Sequence, residues 1–236
     1  MIFEKYVSSG NDFIVVEETS LSSKRVKKLC DRHFGVGADG VLSFQKRSKN
    51  QYEMQIYNAD GSKAKMCGNG LKIGAAYLKD KNPSENTFSI LIGKNAFIVR
   101  VNQRQIGVLL PFPTCLQKEE NAAVYELENR HRIREVSVIH ETELIQEGRK
   151  YPEYNVSYFV RKSPHSIVLQ TYERGVGLTL SCGSASCSTM MYLLEHGYER
   201  NEVHVETKGG NYSLKATKSG IWLYGHAQKI FRGEIE

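Results

Sequence analysis

Two of the five cysteines, Cys67 and Cys182, are each followed directly by glycine and then by an apolar segment with helical spacing. Cys67-Gly68-Asn69-Gly70 leads into a segment through Tyr77-Leu78, and Cys182-Gly183-Ser184-Ala185 into one through Tyr192-Leu193. A thiol at a helix start meets unpaired backbone N–H groups and the positive end of the helix dipole. Both favour the thiolate and lower a pKa that otherwise lies near ~8.5. The glycine that follows leaves room for a ligand to approach those N–H groups, which can hold a carboxylate. A pair of such thiols can take a proton from one face of a weakly acidic α-carbon and return one to the opposite face. One must be thiolate while the other is thiol, the roles exchanging with substrate chirality, and the helix N–H groups would stabilise charge growing on the carboxylate.

The surroundings of the two cysteines repeat. A tyrosine (Tyr57, Tyr172) lies ten residues before each, and Tyr-Leu lies ten and eleven residues after. Each half reads strand, glycine turn, Cys-Gly, helix, which predicts two related domains. The expected division is residues 1–113 and 114–236, with the last residues packing back on the first domain.

Cys30, Cys115 and Cys187 lack this setting and are expected to be small buried hydrophobes. The odd cysteine count, the wide spacing and the absence of Cys-x-x-Cys argue against a disulfide framework and against structural zinc. Hydrophobic content of 40% and charged content of 25% fit a soluble globular chain. No apolar run approaches the ~18 residues of a membrane span, and the N-terminus lacks the pattern of a signal peptide. A cytoplasmic protein is expected. The net charge of +6 and pI of about 9.0 raise the question of nucleic acid. The densest basic group, Lys24, Arg25, Lys27 and Lys28, has the spacing of a solvated helix face, and no nucleic-acid motif accompanies it. The Gly35–Gly40 loop has no Gly-Lys-Ser/Thr after it, which excludes a nucleotide phosphate loop.

Strand, turn, strand is expected at Ile2–Tyr6 and Phe13–Val16, then a helix capped near Ser22 or Ser23 and running to Cys30. Arg32–Gly40 reads as a shaped loop. Further strands are expected at Val41–Phe44, Tyr52–Tyr57, Thr87–Ile92, Ala96–Val101 and Gln105–Leu110, with a turn at Asn102–Arg104. In the second half they are expected at Val156–Val160, Ser166–Tyr172, Glu202–Glu206, Asn211–Thr217 and Ile221–His226. Only two helices besides the first are expected, one after each site cysteine, and 117–154 is charged and weakly patterned.

Seven segments together resemble the diaminopimelate epimerase family. They are Ser-Gly-Asn-Asp-Phe at 9–13, Arg-His-Phe-Gly-Val-Gly-Ala-Asp-Gly at 32–40, Tyr-Asn-Ala-Asp-Gly-Ser at 57–62, Met-Cys-Gly-Asn-Gly at 66–70, Tyr-Glu-Arg-Gly-Val-Gly at 172–177, Ser-Cys-Gly-Ser at 181–184, and Gly209-Gly210. The resemblance implies an α/β (α+β) fold of two pseudo-symmetric domains, each a mainly antiparallel sheet wrapped around a central helix, with the active site in the cleft between. It implies an isomerase that uses neither pyridoxal phosphate nor a metal and converts LL- to meso-diaminopimelate, a lysine and cell-wall precursor. Its implied partner is a small-molecule amino acid, and a homodimer is expected. By resemblance Cys67 and Cys182 are the catalytic thiols. Gly68, Asn69, Gly183 and Ser184 cradle the reacting carboxylate, Asn11 and Glu173 lie near the reacting amine, and Asn58, Asn155 and Arg174 grip the distal end.

The chain departs from the family pattern in places. Lys5–Asp12 replaces the usual Lys-Met-His-Gly-Leu-Gly-Asn-Asp, and Lys72-Ile73 replaces Arg-Cys. The Gly-Asn-Pro-His segment is missing, and the nearest alignment puts His140 in the place of its asparagine. These changes concentrate toward the substrate's distal end, which leaves open a racemase for another amino acid such as histidine. A double-bond isomerase and a non-catalytic amino-acid-binding protein on the same scaffold are the remaining readings.

Overall fold

The computed structural model describes residues 1–103 and 105–235. The chain divides into two compact units, Met1–Val108 together with the chain from Gly225 onward, and Leu109–Tyr224. Sequence placed the division after residue 113. The first stretch comprises β1 (Ile2–Ser8), β2 (Asn11–Val16), α1 (Ser23–Cys30), β3 (Gly40–Lys46), β4 (Gln51–Asn58) and β5 (Lys63–Ala64). It continues with α2 (Gly68–Lys81), β6 (Thr87–Ile92), β7 (Asn95–Asn102) and β8 (Gln105–Leu110). The second comprises β9 (Thr114–Lys118), β10 (Ala122–Leu127), β11 (Asn129–Glu135), α3 (Glu141–Lys150), β12 (Asn155–Ser163) and β13 (Ser166–Glu173). There follow β14 (Gly177–Thr179), α4 (Gly183–Glu195), β15 (Glu202–Thr207), β16 (Gly210–Thr217), β17 (Gly220–Gly225) and β18 (Gln228–Glu234).

Both units are α+β and share one topology. In the first, β18, β1, β2, β3, β4, β6, β7 and β8 pair in that order, with β5 also on β4. In the second, β9, β10, β11, β12, β13, β15, β16 and β17 pair in order, with β14 also on β13. All pairs are antiparallel except β2–β3 and β4–β6 in one unit, and β11–β12 and β13–β15 in the other. Parallel neighbours require a crossover, and each of these four is spanned by one helix, α1 to α4 in order. β18 follows the second repeat in sequence but pairs with β1.

α2 and α4 are the central helices. Ten of the fourteen residues of α2 are buried, and it packs against β1, β2, β6, β7 and β18. α4 buries eight of thirteen and packs against β10, β11, β12 and β16. Helices buried on most of their circumference are apolar or small on most faces, as Gly-Leu-Lys-Ile-Gly-Ala-Ala and Ala-Ser-Cys-Ser-Thr-Met-Met are here. α1 is amphipathic and starts as its sequence predicts: Ser22 accepts the Arg25 N–H at 3.3 Å.

Two features differ from expectation. The turn expected between Tyr6 and Phe13 contracts to Ser9-Gly10, with φ of 49° and 84° between the paired residues Ser8 and Asn11. Two successive positive φ values are the hairpin geometry that matches strand twist. The region 117–154 is fully structured and supplies β10, β11 and a third additional helix, α3. Its pattern was hidden because β10 buries Ala122, Ala123, Val124 and Tyr125 in succession, while β11 buries His131 and Arg132 beside Ile133. α3 buries only Leu144 and Gly148. β7 and β8 do form a hairpin, Asn102 pairing with Gln105; Arg104, assigned to its turn, lies outside the described residues.

Candidate active site

Cys67 is the N-cap of α2, with extended backbone at φ −149° and ψ 113°, and its Sγ accepts the Gly70 N–H at 3.3 Å. The sulfur occupies the position where Ser, Thr, Asp or Asn ordinarily caps. Gly68 and Asn69, the first two helical residues, are buried. Asn69 donates from Nδ2 to Asn11 Oδ1 at 2.7 Å, and Asn11 stands at the start of β2 just past the Ser9-Gly10 turn. Asn58 ends β4 and is exposed. It builds the turn that follows, its carbonyl accepting the Gly61 N–H at 2.8 Å and its Nδ2 donating to Ser62 Oγ at 2.9 Å.

Lys72, one turn further into α2, is only 1% exposed and donates from Nζ to Ser9 Oγ at 3.0 Å. Burial lowers its pKa to about 8, opposed by the charge of Cys67. Sequence reasoning noted Lys72 only as a departure from the family pattern. Its position five residues after the cysteine, on a buried helix, is the signal that could have marked it.

The second unit repeats this arrangement with other side chains. Cys182 is the N-cap of α4 at φ −133° and ψ 109°, 7% exposed, with Sγ 3.4 Å from Ser184 Oγ. Gly183 and Ser184 open the helix. Glu173 ends β13, accepts a hydrogen bond from Thr179 Oγ1 at 2.8 Å and hydrogen-bonds Cys182. Burial pushes its carboxyl above the usual range, partly offset by those two bonds. Asn155 is buried at the start of β12, and its Oδ1 accepts the backbone N–H of Arg174 at 2.9 Å. That bond fixes the Arg174 backbone while its side chain stays exposed. The Glu173 carbonyl accepts the Val176 N–H at 3.1 Å, with Gly175 at φ 78° in the turn.

Asn58 and Glu173 both lie nine residues before their cysteines and both open such a turn, so they are equivalent in the repeat. Asn69 is likewise equivalent to Ser184, and Lys72 to Cys187. Cys187 is fully buried and desolvation pushes its thiol up to about 12; Cys30, also buried, is pushed up to about 11. Both match the expectation of small buried hydrophobes. Cys115 is half-buried on β9, and burial raises its pKa too.

The glycine-rich loop 32–40 is held by charge. Arg32 forks onto both oxygens of Asp12 at 2.8 and 3.2 Å and reaches Asp39 at 2.8 Å. Lys5 pairs with Asp12 at 2.6 Å and donates to the Gly37 carbonyl. Burial would raise Asp12, yet hydrogen bonds from Arg32 and Lys5 hold it well below the usual carboxylate range. The cluster anchors the residue next to Asn11, and nothing in local spacing announces it. Gly40 closes the loop because a Cβ there would lie 2.3 Å from the Tyr57 carbonyl.

His140, aligned by sequence with a substrate asparagine, is the exposed N-cap of α3 and makes no side-chain capping bond. A cleft of about 570 Å³ lined by His165, Glu199, Arg200 and His204 contains none of the expected site residues. It lies where β13 and β15 begin, whereas Glu173 lies where β13 ends. Among the described residues, no group of three or more His, Cys, Asp and Glu is placed to hold a metal ion, and no helix is long and apolar enough to cross a membrane.

The sequence model described as diaminopimelate epimerase matches residues 3–106. A diaminopimelate epimerase from a Hydrogenobaculum species is 34% identical, the match covering 100% of this chain and 98% of the relative. The chain belongs to the diaminopimelate epimerase family. The enzyme of that name from Caldanaerobacter subterraneus is 32% identical, covering 100% of both chains. As a member of this family, the protein is an isomerase of the epimerase type. Solved structures share its fold at low identity. A phenazine biosynthesis protein of the PhzF family from Bacillus anthracis matches with a TM-score of 0.77 at 12% identity over 100% of this chain and 99% of its own. A hydroxyproline epimerase from Agrobacterium vitis matches at 0.71 and 9% identity, over 100% and 90%.

Proposed function

We propose that the protein epimerises diaminopimelate at an α-carbon without a cofactor, with Cys67 and Cys182 as the two acid/base groups. The observation that supports this most directly is the duplication itself: each unit presents one cysteine as the N-cap of its central helix, at the same offset from the same flanking residues. One thiolate removes the α-proton, the other thiol returns a proton, and the pair regenerates in the opposite protonation state. The N–H groups at the starts of α2 and α4, with Asn69 and Ser184, supply donors for the reacting carboxylate. Arg174, with its backbone fixed by Asn155 and its guanidinium exposed, suits a distal carboxylate.

The substrate assignment draws on the relatives, which carry the name diaminopimelate epimerase along the full chain. A racemase for another amino acid such as histidine is not favoured by any of them. The test is incubation in heavy water with diaminopimelate and each common amino acid, read as deuterium at the α-position. Diaminopimelate should exchange and epimerise, and Cys67→Ala or Cys182→Ala should nearly abolish both. Full turnover by either variant would end the two-thiol mechanism. Exchange confined to a different amino acid would end the substrate assignment.

A further inference from the structure

The repeat that makes Cys67 and Cys182 equivalent breaks five residues into each helix. Lys72 in α2 stands where α4 has Cys187. Lysine is among the side chains least often buried, and the first turns of a helix are the wrong end for a cation because the dipole is positive there. Lys72 is nevertheless 1% exposed, with its Nζ fixed by Ser9 Oγ at 3.0 Å. Ser9 belongs to the tight Ser9-Gly10 turn, with positive φ at both residues. A charge kept in so unfavourable a place is stabilised by a nearby anion, and Cys67 at the same end of the helix, whose charge acts on Lys72, is one when ionised.

We infer that Lys72 is a positioning residue for the reaction: its buried ammonium, pinned by Ser9, holds Cys67 as the resting thiolate and so fixes which of the two cysteines begins as base. The inference rests on the reading of Cys67 as an acid/base group.

Several other charges packed against α2 have partners of their own. Glu4, Glu17, Asp80 and Lys81 gather with Tyr6 and Tyr77 around its last turns. Lys5, Asp12, Arg32 and Asp39 pair among themselves. Lys229 of β18 pairs with Glu4 at 2.8 Å. On the opposite side of the repeat, Cys182 has no such cation in its helix. Cys187 is a neutral buried thiol, and the Glu173 carboxyl, which hydrogen-bonds Cys182, opposes a second anion there. The lowered pKa of Lys72, about 8, bounds the effect: the ammonium persists at neutral pH and is lost in mildly alkaline solution.

The test is the pH dependence of iodoacetamide labelling in the intact protein, resolved by peptide for Cys67 and Cys182, in wild type, Lys72→Met and Lys72→Arg. Methionine keeps the volume and removes the charge; arginine restores the charge. Wild-type Cys67 should reach half-maximal labelling at a lower pH than Cys182. Lys72→Met should move the Cys67 midpoint up by a unit or more, about a tenfold loss of labelling rate at pH 7. Lys72→Arg should return it, and the Cys182 profile should stay in place throughout. An unchanged Cys67 midpoint in Lys72→Met, movement of both cysteines together, or a Cys182 midpoint at or below that of wild-type Cys67 would overturn the inference. The labelling reads the thiol, not the reaction. Lys72-dependent labelling without α-deuteration of any amino acid would sink the proposed function, and with it the role of Lys72 in a reaction, while leaving the hold of Lys72 on the Cys67 thiolate in place. Normal epimerisation with labelling indifferent to residue 72 would do the reverse.

Discussion

Asn69 Nδ2 donates to Asn11 Oδ1 at 2.7 Å, tying the second residue of α2 to the first residue of β2. The bond joins the turn that carries Ser9 to the helix start that carries Cys67, so it positions two sequence segments for one site. Asn69→Ala removes a buried donor and should cost about 1–3 kcal/mol in urea unfolding, with a larger loss in α-deuterium exchange. Because the two asparagines share one bond, the double variant with Asn11→Ala should lose less than the sum of the single losses. Strict additivity would show that they act independently.

His131 is fully buried on β11, and among the described residues neither ring nitrogen has a hydrogen-bond partner. Desolvation lowers its pKa to about 3. The folded protein therefore keeps it neutral over a range in which the unfolded chain, titrating near ~6.5, takes up a proton. Stability from this group is complete above the unfolded value and falls as pH drops toward the folded one, by about 1.4 kcal/mol per pH unit. The other six of the seven histidines are exposed. Unfolding measured between pH 6.5 and 5 should thus slope in wild type and flatten in His131→Phe. Equal slopes would show that His131 is not the group responsible.

Glu147 of α3 accepts from Arg132 Nε at 2.9 Å and Arg134 Nη1 at 3.0 Å, and also from the Tyr158 hydroxyl. Burial favours its neutral form, but these partners hold it below the usual carboxylate range. The Arg132 side chain is 7% exposed, so Glu147→Ala strands a buried cation even though Glu119 remains at 2.5 Å. Breaking a buried pair from one side costs about 3–5 kcal/mol, while Glu147→Gln, which keeps an acceptor, should cost less. Chemical denaturation distinguishes these, and a near-neutral alanine variant would show that Glu119 alone suffices.

What the sequence made readable follows from what leaves a periodic or repeated trace. The helix starts at Cys67 and Cys182 were legible because glycine, an apolar run and a second copy coincide, and the Ser22 cap was legible from residue type. α3 and β11 were not, because the side chains that hold them, Arg132, Arg134 and Glu147, are charged and their burial depends on pairing across elements. The same reason hid Lys72 and the Arg32–Asp12–Asp39 cluster. A buried charge is identified by its partner, and Ser9 and Asp12 lie far from Lys72 and Arg32 in sequence. His140 was drawn toward the site by alignment over a segment whose structure had no sequence signature. In the fold it begins a helix at the surface.

Gly148 of α3 faces Tyr172, the residue before Glu173. A Cβ at Gly148 would lie 2.2 Å from Tyr172 Cδ1 and 2.5 Å from Cγ. In an open helix glycine to alanine gains about 1 kcal/mol from propensity, whereas overpacking a filled space costs about 1–3 kcal/mol. Ring carbons near the backbone cannot swing aside as a flexible chain end can, and Tyr172 packs on Leu144, Val156 and Tyr158. The packing cost should win: Gly148→Ala should be destabilised by about 1 kcal/mol or more in chemical unfolding. The shift should also pass along β13 to Glu173 and lower α-deuterium exchange without touching either cysteine. If the variant is instead more stable than wild type and fully active, Tyr172 is free to move and does not set the position of Glu173.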